Sequence, residues 1–143
     1  MPTHAENKIL PFTPEQMFDL VADVARYPEF LPWCIATRIK SSDEQAMVAD
    51  MVIGFKVFRE QFTSLVKLDR PRRIDVEYQN GPFRYLENHW AFEAHGDGQC
   101  VVDFHVDFEF RSKILEKAIG RVFTEAVHRM VGAFENRAAS LYR

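Results

Sequence analysis

Three polar side chains stand in the apolar phase of stretches that alternate like β-strands. In "FREQFTSLV", Glu60 and Ser64 share a face with Phe58, Phe62 and Val66; in "YLENHWAF", Asn88 shares one with Leu86, Trp90 and Phe92. A polar group on a buried face is costly unless it is hydrogen-bonded. Either bulges turn these residues outward, or they satisfy one another, or they meet something bound inside. Asn88 and Ser64 can donate to a carbonyl oxygen of a bound molecule, whereas an ionised Glu60 can only accept. A second polar set follows the opposite phase. His105 lies between Asp103 and Asp107, and His89 is in phase with Tyr85 and Glu87. Residues two apart on a strand are ~7 Å apart, too far for Asp103, His105 and Asp107 to clasp one metal, so a solvated face is expected. No nucleophile elbow, phosphate-binding loop, metalloprotease helix or dinucleotide fingerprint occurs. No catalytic or metal-ligating residue is assigned, and a non-enzymatic role is expected. Cys34 and Cys100 have no motif spacing, which fits free thiols in a reducing compartment.

The stretch "ADVARYPEFLPWC" packs Tyr27, Phe30, Leu31 and Trp33 around Pro28 and Pro32. Its aromatics either close the end of a core or gate an apolar space.

The elements that position these residues are legible from their periodicity. Residues 3 to 10 form a first strand. "FTPEQM" starts a helix, with Thr13 as cap, Pro14 at the first helical position and Gln16 completing a capping box. Phe12 and Met17 occupy the staple positions, and the helix is expected to run to Tyr27, which precedes Pro28. From Ile35 to about Phe110 the period is two. About six antiparallel strands are expected there, two of them meeting near Gly54, with turns at "QNGP" and "HGDGQ". Val102, Phe104, Val106, Phe108 and Phe110 share one face of the last strand. Residues 112 to 142 read as one helix of ~31 residues, ~46 Å long, with an apolar stripe from Leu115, Ala118, Ile119 and Val122 through Ala126, Met130 and Phe134 to Leu141. A helix this long in a 143-residue chain has to lie across a large sheet. The class is therefore α+β, a curved antiparallel sheet of six to seven strands around a long C-terminal helix, in one domain spanning residues 1–143. An incomplete closure between the two would leave an apolar cavity.

The chain is 47% hydrophobic and 27% charged, with net charge −3, which argues against binding DNA through bulk electrostatics. The N-terminus lacks a targeting pattern, and no run reaches the ~18 apolar residues of a membrane span. A soluble cytoplasmic protein is expected, with peripheral contact at the inner face of a bacterial membrane as one partner option. Lys113, Lys117 and Arg121 repeat every four residues, and Arg70, Arg72 and Arg73 crowd one turn. Solvated surface is the plain interpretation; anionic lipid or RNA phosphates are the sharper ones.

"DVARYPEFLPWC", "FREQFTSLV", "NGPFRYLENHWAF", "VVDFHVDFEF" and "MVGAFENRAASLY" resemble, in order, the coenzyme Q-binding proteins of the START-like (polyketide cyclase/dehydrase) superfamily. Their bacterial branch includes the ribosome-association toxin. The resemblance covers about Thr3 to Tyr142. It implies a helix-grip fold of the START and Bet v 1 kind, with ubiquinone or a related isoprenoid as bound ligand and no catalytic cofactor. It also implies two roles, quinone handling in respiration or binding to the large ribosomal subunit so that subunit joining is blocked. The candidate gate then comprises Tyr27, Phe30, Leu31 and Trp33 with Ile119, Val122 and Phe123. Phe62, Ser64, Asn88, Trp90 and Phe104 are candidate walls on the sheet, and Ala126 and Met130 on the helix. Glu60, Lys113, Lys117 and Arg121 are candidate polar or surface contacts.

Overall fold

The computed structural model describes residues 3–142 apart from Lys56 and Val57, and the side chains of Phe55 and Phe58 are outside that description. Seven strands form one antiparallel sheet: β1 (Thr3–Leu10), β2 (Cys34–Ser42), β3 (Ala46–Phe55), β4 (Phe58–Asp69), β5 (Arg73–Asn80), β6 (Phe83–Ala94) and β7 (Cys100–Phe110). The spatial order is β1-β7-β6-β5-β4-β3-β2. From β2 onward consecutive strands pair, while β1 reaches across the chain to β7, with Thr3 opposite Asp107 and Leu10 opposite Cys100. Val102, Phe104, Val106, Phe108 and Phe110 are all buried on the inner face, as their alternation requires.

Helix α1 (Pro14–Ala22) begins with the expected capping box. The Thr13 amide donates to Gln16 Oε1 at 2.9 Å, and the Gln16 amide donates to Thr13 Oγ1 at 3.1 Å. Its end differs from expectation. Asp23 (φ −83°, ψ 66°) turns the chain out of helical geometry after Ala22, and a 3-10 helix, Val24–Glu29, carries the chain through Pro28. The proline is therefore inside a tighter helix and does not stop α1.

The C-terminal segment also departs from one unbroken helix. It divides into α2 (Lys113–His128) and α3 (Met130–Tyr142) at Arg129. The Arg129 amide is shared between the carbonyls of Glu125 and Ala126, both at 3.2 Å, so one residue adopts a tighter turn while the ladder resumes at Ala133. The inward face is Ile119, Ala126 and Val127 in α2, then Val131, Phe134 and Ala138 in α3. Leu141, expected inside, is 50% exposed. Tyr142 makes the last inward contact instead, with its ring 6.1 Å from Phe12 and its hydroxyl donating to the Gln16 carbonyl at 3.1 Å.

Candidate functional site

Between the inner face of the sheet and the helices lies a cavity of about 110 Å³. Strands β3 to β6 supply one wall: Ala49, Met51 and Ile53, then Phe62, Ser64 and Val66, then Ile74 and Val76, then Leu86, Asn88 and Trp90. Val106 adds to this wall from β7. Val21, Val24, Tyr27 and Trp33 close one end, and Phe123, Val127, Met130 and Phe134 form the helical side. The period of two along each strand brings every second residue to this space.

The two polar wall residues behave differently. Asn88 Nδ2 donates to the His105 carbonyl at 3.1 Å, and Asn88 Oδ1 accepts from Trp90 Nε1 at 3.2 Å. Its amide is therefore occupied by the protein. Ser64 is 5% exposed and its hydroxyl finds no partner. A buried hydroxyl left unmatched costs on the order of 1–3 kcal/mol, so the cavity contains one polar group with unused capacity. Glu60, in phase with them, is half-buried and lies off the wall. Phe58, placed in the same phase, has a side chain outside the described residues.

Aromatic clusters close both ends. Phe134 meets Tyr27 at 5.3 Å, Phe30 at 5.2 Å and Trp90 at 5.2 Å between ring centroids, with near-perpendicular planes. The Tyr27 hydroxyl donates to the Val21 carbonyl, and burial pushes its phenol pKa far above the ordinary value. Arg137 of α3 lies over the Phe30 ring at 5.1 Å and donates to Glu29 at 2.6 Å. These contacts latch the proline segment onto α3. At the other end Phe123 meets Phe83, Phe108 and Phe110 at 5.6, 5.0 and 5.6 Å.

Of the candidate residues, the structure brings Tyr27, Trp33, Phe62, Ser64, Asn88, Trp90, Phe123 and Met130 to the cavity. Six others lie elsewhere. Leu31 is buried away from the wall, and Phe104 packs behind it, 4.6 Å from Trp90. Phe30 stacks outside Phe134 and borders a surface groove. Ile119 and Ala126 are buried in the helix–sheet contact, and Val122 is half-buried and off the wall. The helical error has one cause. The wall uses 123, 127, 130 and 134, which includes the expected Phe123 and Met130, whereas 119, 122 and 126 lie on the adjoining strip of the helix, and α2 has apolar residues on both strips. Residues of β3 and β5 were missed as lining, although Ala49-Met51-Ile53 and Ile74-Val76 alternate in the sequence.

The remaining polar residues stay outside. His89 Nδ1 lies 2.7 Å from Asp75, and its ring stacks 6.0 Å from His105 on the opposite face of the sheet. Among the described residues no three His, Cys, Asp or Glu side chains converge as a metal site would need. The arginines of the turn are each paired, Arg70 with Asp19 at 2.8 Å, Arg72 with Asp69 at 3.3 Å and Arg73 with Asp75 at 2.8 Å. Cys34 and Cys100 are free and buried, and burial raises both thiols to about 11. Among the described residues no helix is long and apolar enough to cross a membrane.

Residues 10–135 match the family described as "Polyketide cyclase / dehydrase and lipid transport". The chain is 40% identical over 140 residues to the "Ribosome association toxin RatA" of Rickettsia prowazekii, covering 95% of each. It is 34% identical over 143 residues to the "Coenzyme Q-binding protein COQ10 homolog B, mitochondrial" of Xenopus laevis, covering 97% of this chain and 59% of that protein. Its fold is similar to a START superfamily protein from Mycobacterium smegmatis, with a TM-score of 0.79 at 15% identity, covering 97% of this chain and 98% of that one. The helix-grip expectation thus holds for the fold. The chain belongs to the polyketide cyclase/dehydrase and lipid transport family, in the branch that holds the RatA and COQ10 proteins.

Proposed function

We propose that this protein binds ubiquinone or a related isoprenoid in the cavity between sheet and helices, without catalysing a reaction on it. The observation that carries this reading is an apolar cavity with a buried, unpartnered hydroxyl at Ser64. An isoprenoid chain gains about 0.8 kcal/mol per methylene buried, and a quinone carbonyl is an acceptor for the hydroxyl. The similarity to a coenzyme Q-binding protein supports the same ligand class. Among the described residues the wall holds no carboxylate, imidazole or amine to move a proton, which supports binding over turnover. The site sits in a cytoplasmic protein with peripheral access to membrane lipid. Organic extraction of the purified protein followed by mass spectrometry tests the reading. Quinone approaching one per chain is expected; an empty protein that also refuses added quinone would overturn it.

Ser64→Ala gives a sharper test, because the two expected effects have opposite signs. Ligand-free protein becomes more stable by about 1 kcal/mol or more, since an orphaned hydroxyl is removed. Quinone affinity falls by roughly 2- to 12-fold, the worth of one neutral hydrogen bond of ~0.5–1.5 kcal/mol. Melting curves and a quinone titration on the same preparations check both signs.

A cavity of about 110 Å³ is below the ~300–1,000 Å³ of ordinary ligand sites, so the reading requires the mouth to open. The Glu29–Arg137 latch sits there. Hydrogen bonds from Arg137 and then Arg26 hold the Glu29 carboxyl below its usual range. A lowered value means the latch is complete above the ordinary carboxylate pKa of about 4.3 and is lost as pH falls through the depressed value. Glu29→Gln is expected to mimic that loss at neutral pH and raise iodide quenching of Trp33 several-fold. Trp90, 2% exposed, stays shielded. Unchanged quenching would remove the latch from the opening step.

A second reading is favoured by the similarity to proteins named ribosome association toxin. In it the chain binds the large ribosomal subunit and blocks subunit joining. Co-sedimentation with that subunit, weakened by salt, is its expected signature, and no binding at low salt would count against it.

A further inference from the structure

Charge pairing divides the basic residues of this protein into two populations. At least nine of the described Lys and Arg side chains sit in carboxylate ion pairs. Arg111, Lys113, Lys117 and Arg121 sit in none, and all four are exposed within eleven residues of chain. Glu116 is the one acidic residue in that segment, and its carboxyl lies over Gly120, 2.9 Å from where a Cβ there would stand. Ile114 projects from the same surface with 82% of its area exposed, more than any other large apolar side chain described. On α2, Ile114 is three residues from Lys117 and seven from Arg121, so the aliphatic side chain rises among the cations. A protein of net charge −3 thus gathers unpaired positive charge around one protruding aliphatic group.

We propose that the Arg111–Arg121 surface, with Ile114 at its centre, docks the protein on an anionic lipid bilayer. The complementarity is specific to that partner. Cations at this spacing meet headgroup phosphates, while an aliphatic side chain enters the boundary between headgroups and acyl chains. An RNA surface offers the first interaction, and the Arg111 and Arg121 guanidinium groups suit it, but it has no apolar layer to receive Ile114. The location adds a consequence. The inner face of the same helix carries Phe123 and Val127 in the cavity wall, so one element touches both the bilayer and the cavity. The docking proposal stands whatever the cavity holds.

Flotation with vesicles tests it, using purified full-length protein. Vesicles of phosphatidylcholine containing about one third phosphatidylglycerol should carry the protein at about 50 mM salt and release it at about 500 mM. Pure phosphatidylcholine vesicles should carry little. Each cation near an anionic surface is worth about fivefold in binding, so Lys113→Gln/Lys117→Gln/Arg121→Gln should weaken it by about 100-fold. Ile114→Ser should cost about tenfold while leaving the salt dependence in place. These positions are exposed, so an unchanged melting temperature certifies folding. Three outcomes would overturn the proposal. One is a folded wild type that ignores anionic vesicles at low salt; another is a triple variant that binds as well as wild type. The third is indifference to Ile114→Ser combined with tighter binding to a double-stranded RNA that competes off the vesicles, which reassigns the surface to nucleic acid.

Discussion

Phe83→Ala is expected to destabilise the protein by about 3–5 kcal/mol, the range for removing a large aromatic side chain from a packed core. Phe83 opens β6 and is 0% exposed. Its ring meets Phe62, Tyr78, Phe108, Phe110 and Phe123 at centroid distances from 4.9 to 5.9 Å. Phe83 therefore ties strands β4 to β7 to α2. Its amide also donates to the Tyr78 hydroxyl at 3.0 Å, so truncation removes the ring against which that hydrogen bond is held. Neighbouring rings cannot all move into the space, because several already pack edge to face with one another. Urea unfolding followed by circular dichroism reads the loss as a lower midpoint at constant slope. A loss under about 1 kcal/mol would mean that this end of the core collapses freely.

On the proposed function, Ala49→Phe is expected to abolish quinone uptake while the fold survives. Ala49 is buried on β3, opposite Ser64 of β4, and both side chains face the cavity. A phenyl ring at 49 projects into the space and covers the Ser64 hydroxyl. Overpacking costs typically 1–3 kcal/mol, within the stability of most domains. The measurement is quinone recovered per chain from variant and wild type expressed side by side, with melting curves for both. A folded variant that carries the wild-type amount would place the ligand outside this cavity.

How far the sequence reveals these features depends on whether their cause is local. The α1 cap is local, and Thr13, Pro14 and Gln16 stand where the sequence puts them. The alternation of β7 is local too, because one face is buried throughout. The rotation of α2 is not. Its apolar residues fill a broad arc that includes both 122–126 and 123–127, and only the curvature of the sheet opposite decides which edge borders the cavity. The break at Arg129 likewise lacks a proline to announce it. Ser64 and Asn88 look equivalent as intruders in an apolar phase. They differ because Asn88 finds the His105 carbonyl on β7 and Trp90 two residues along its own strand, while Ser64 finds nothing. The same holds for the basic residues. Arg70 is neutralised by Asp19, 51 residues away, a pairing that periodicity cannot reveal, and the surface at Ile114 emerges only once such pairs are set aside.

The pairing of β1 with β7 sets a timetable for synthesis. Thr3 faces Asp107, and at roughly 5–20 residues per second the first strand waits roughly 5–20 s for its neighbour. During that interval the nascent sheet lacks β7, and its apolar face has only α1 to cover it. Met130 and Phe134, the final parts of the wall, are translated later still. The cavity therefore comes into being only once α3 has been made. On the proposed function a lipid is loaded after that point, and a chain without α2 and α3 would be a sheet with nothing to grip.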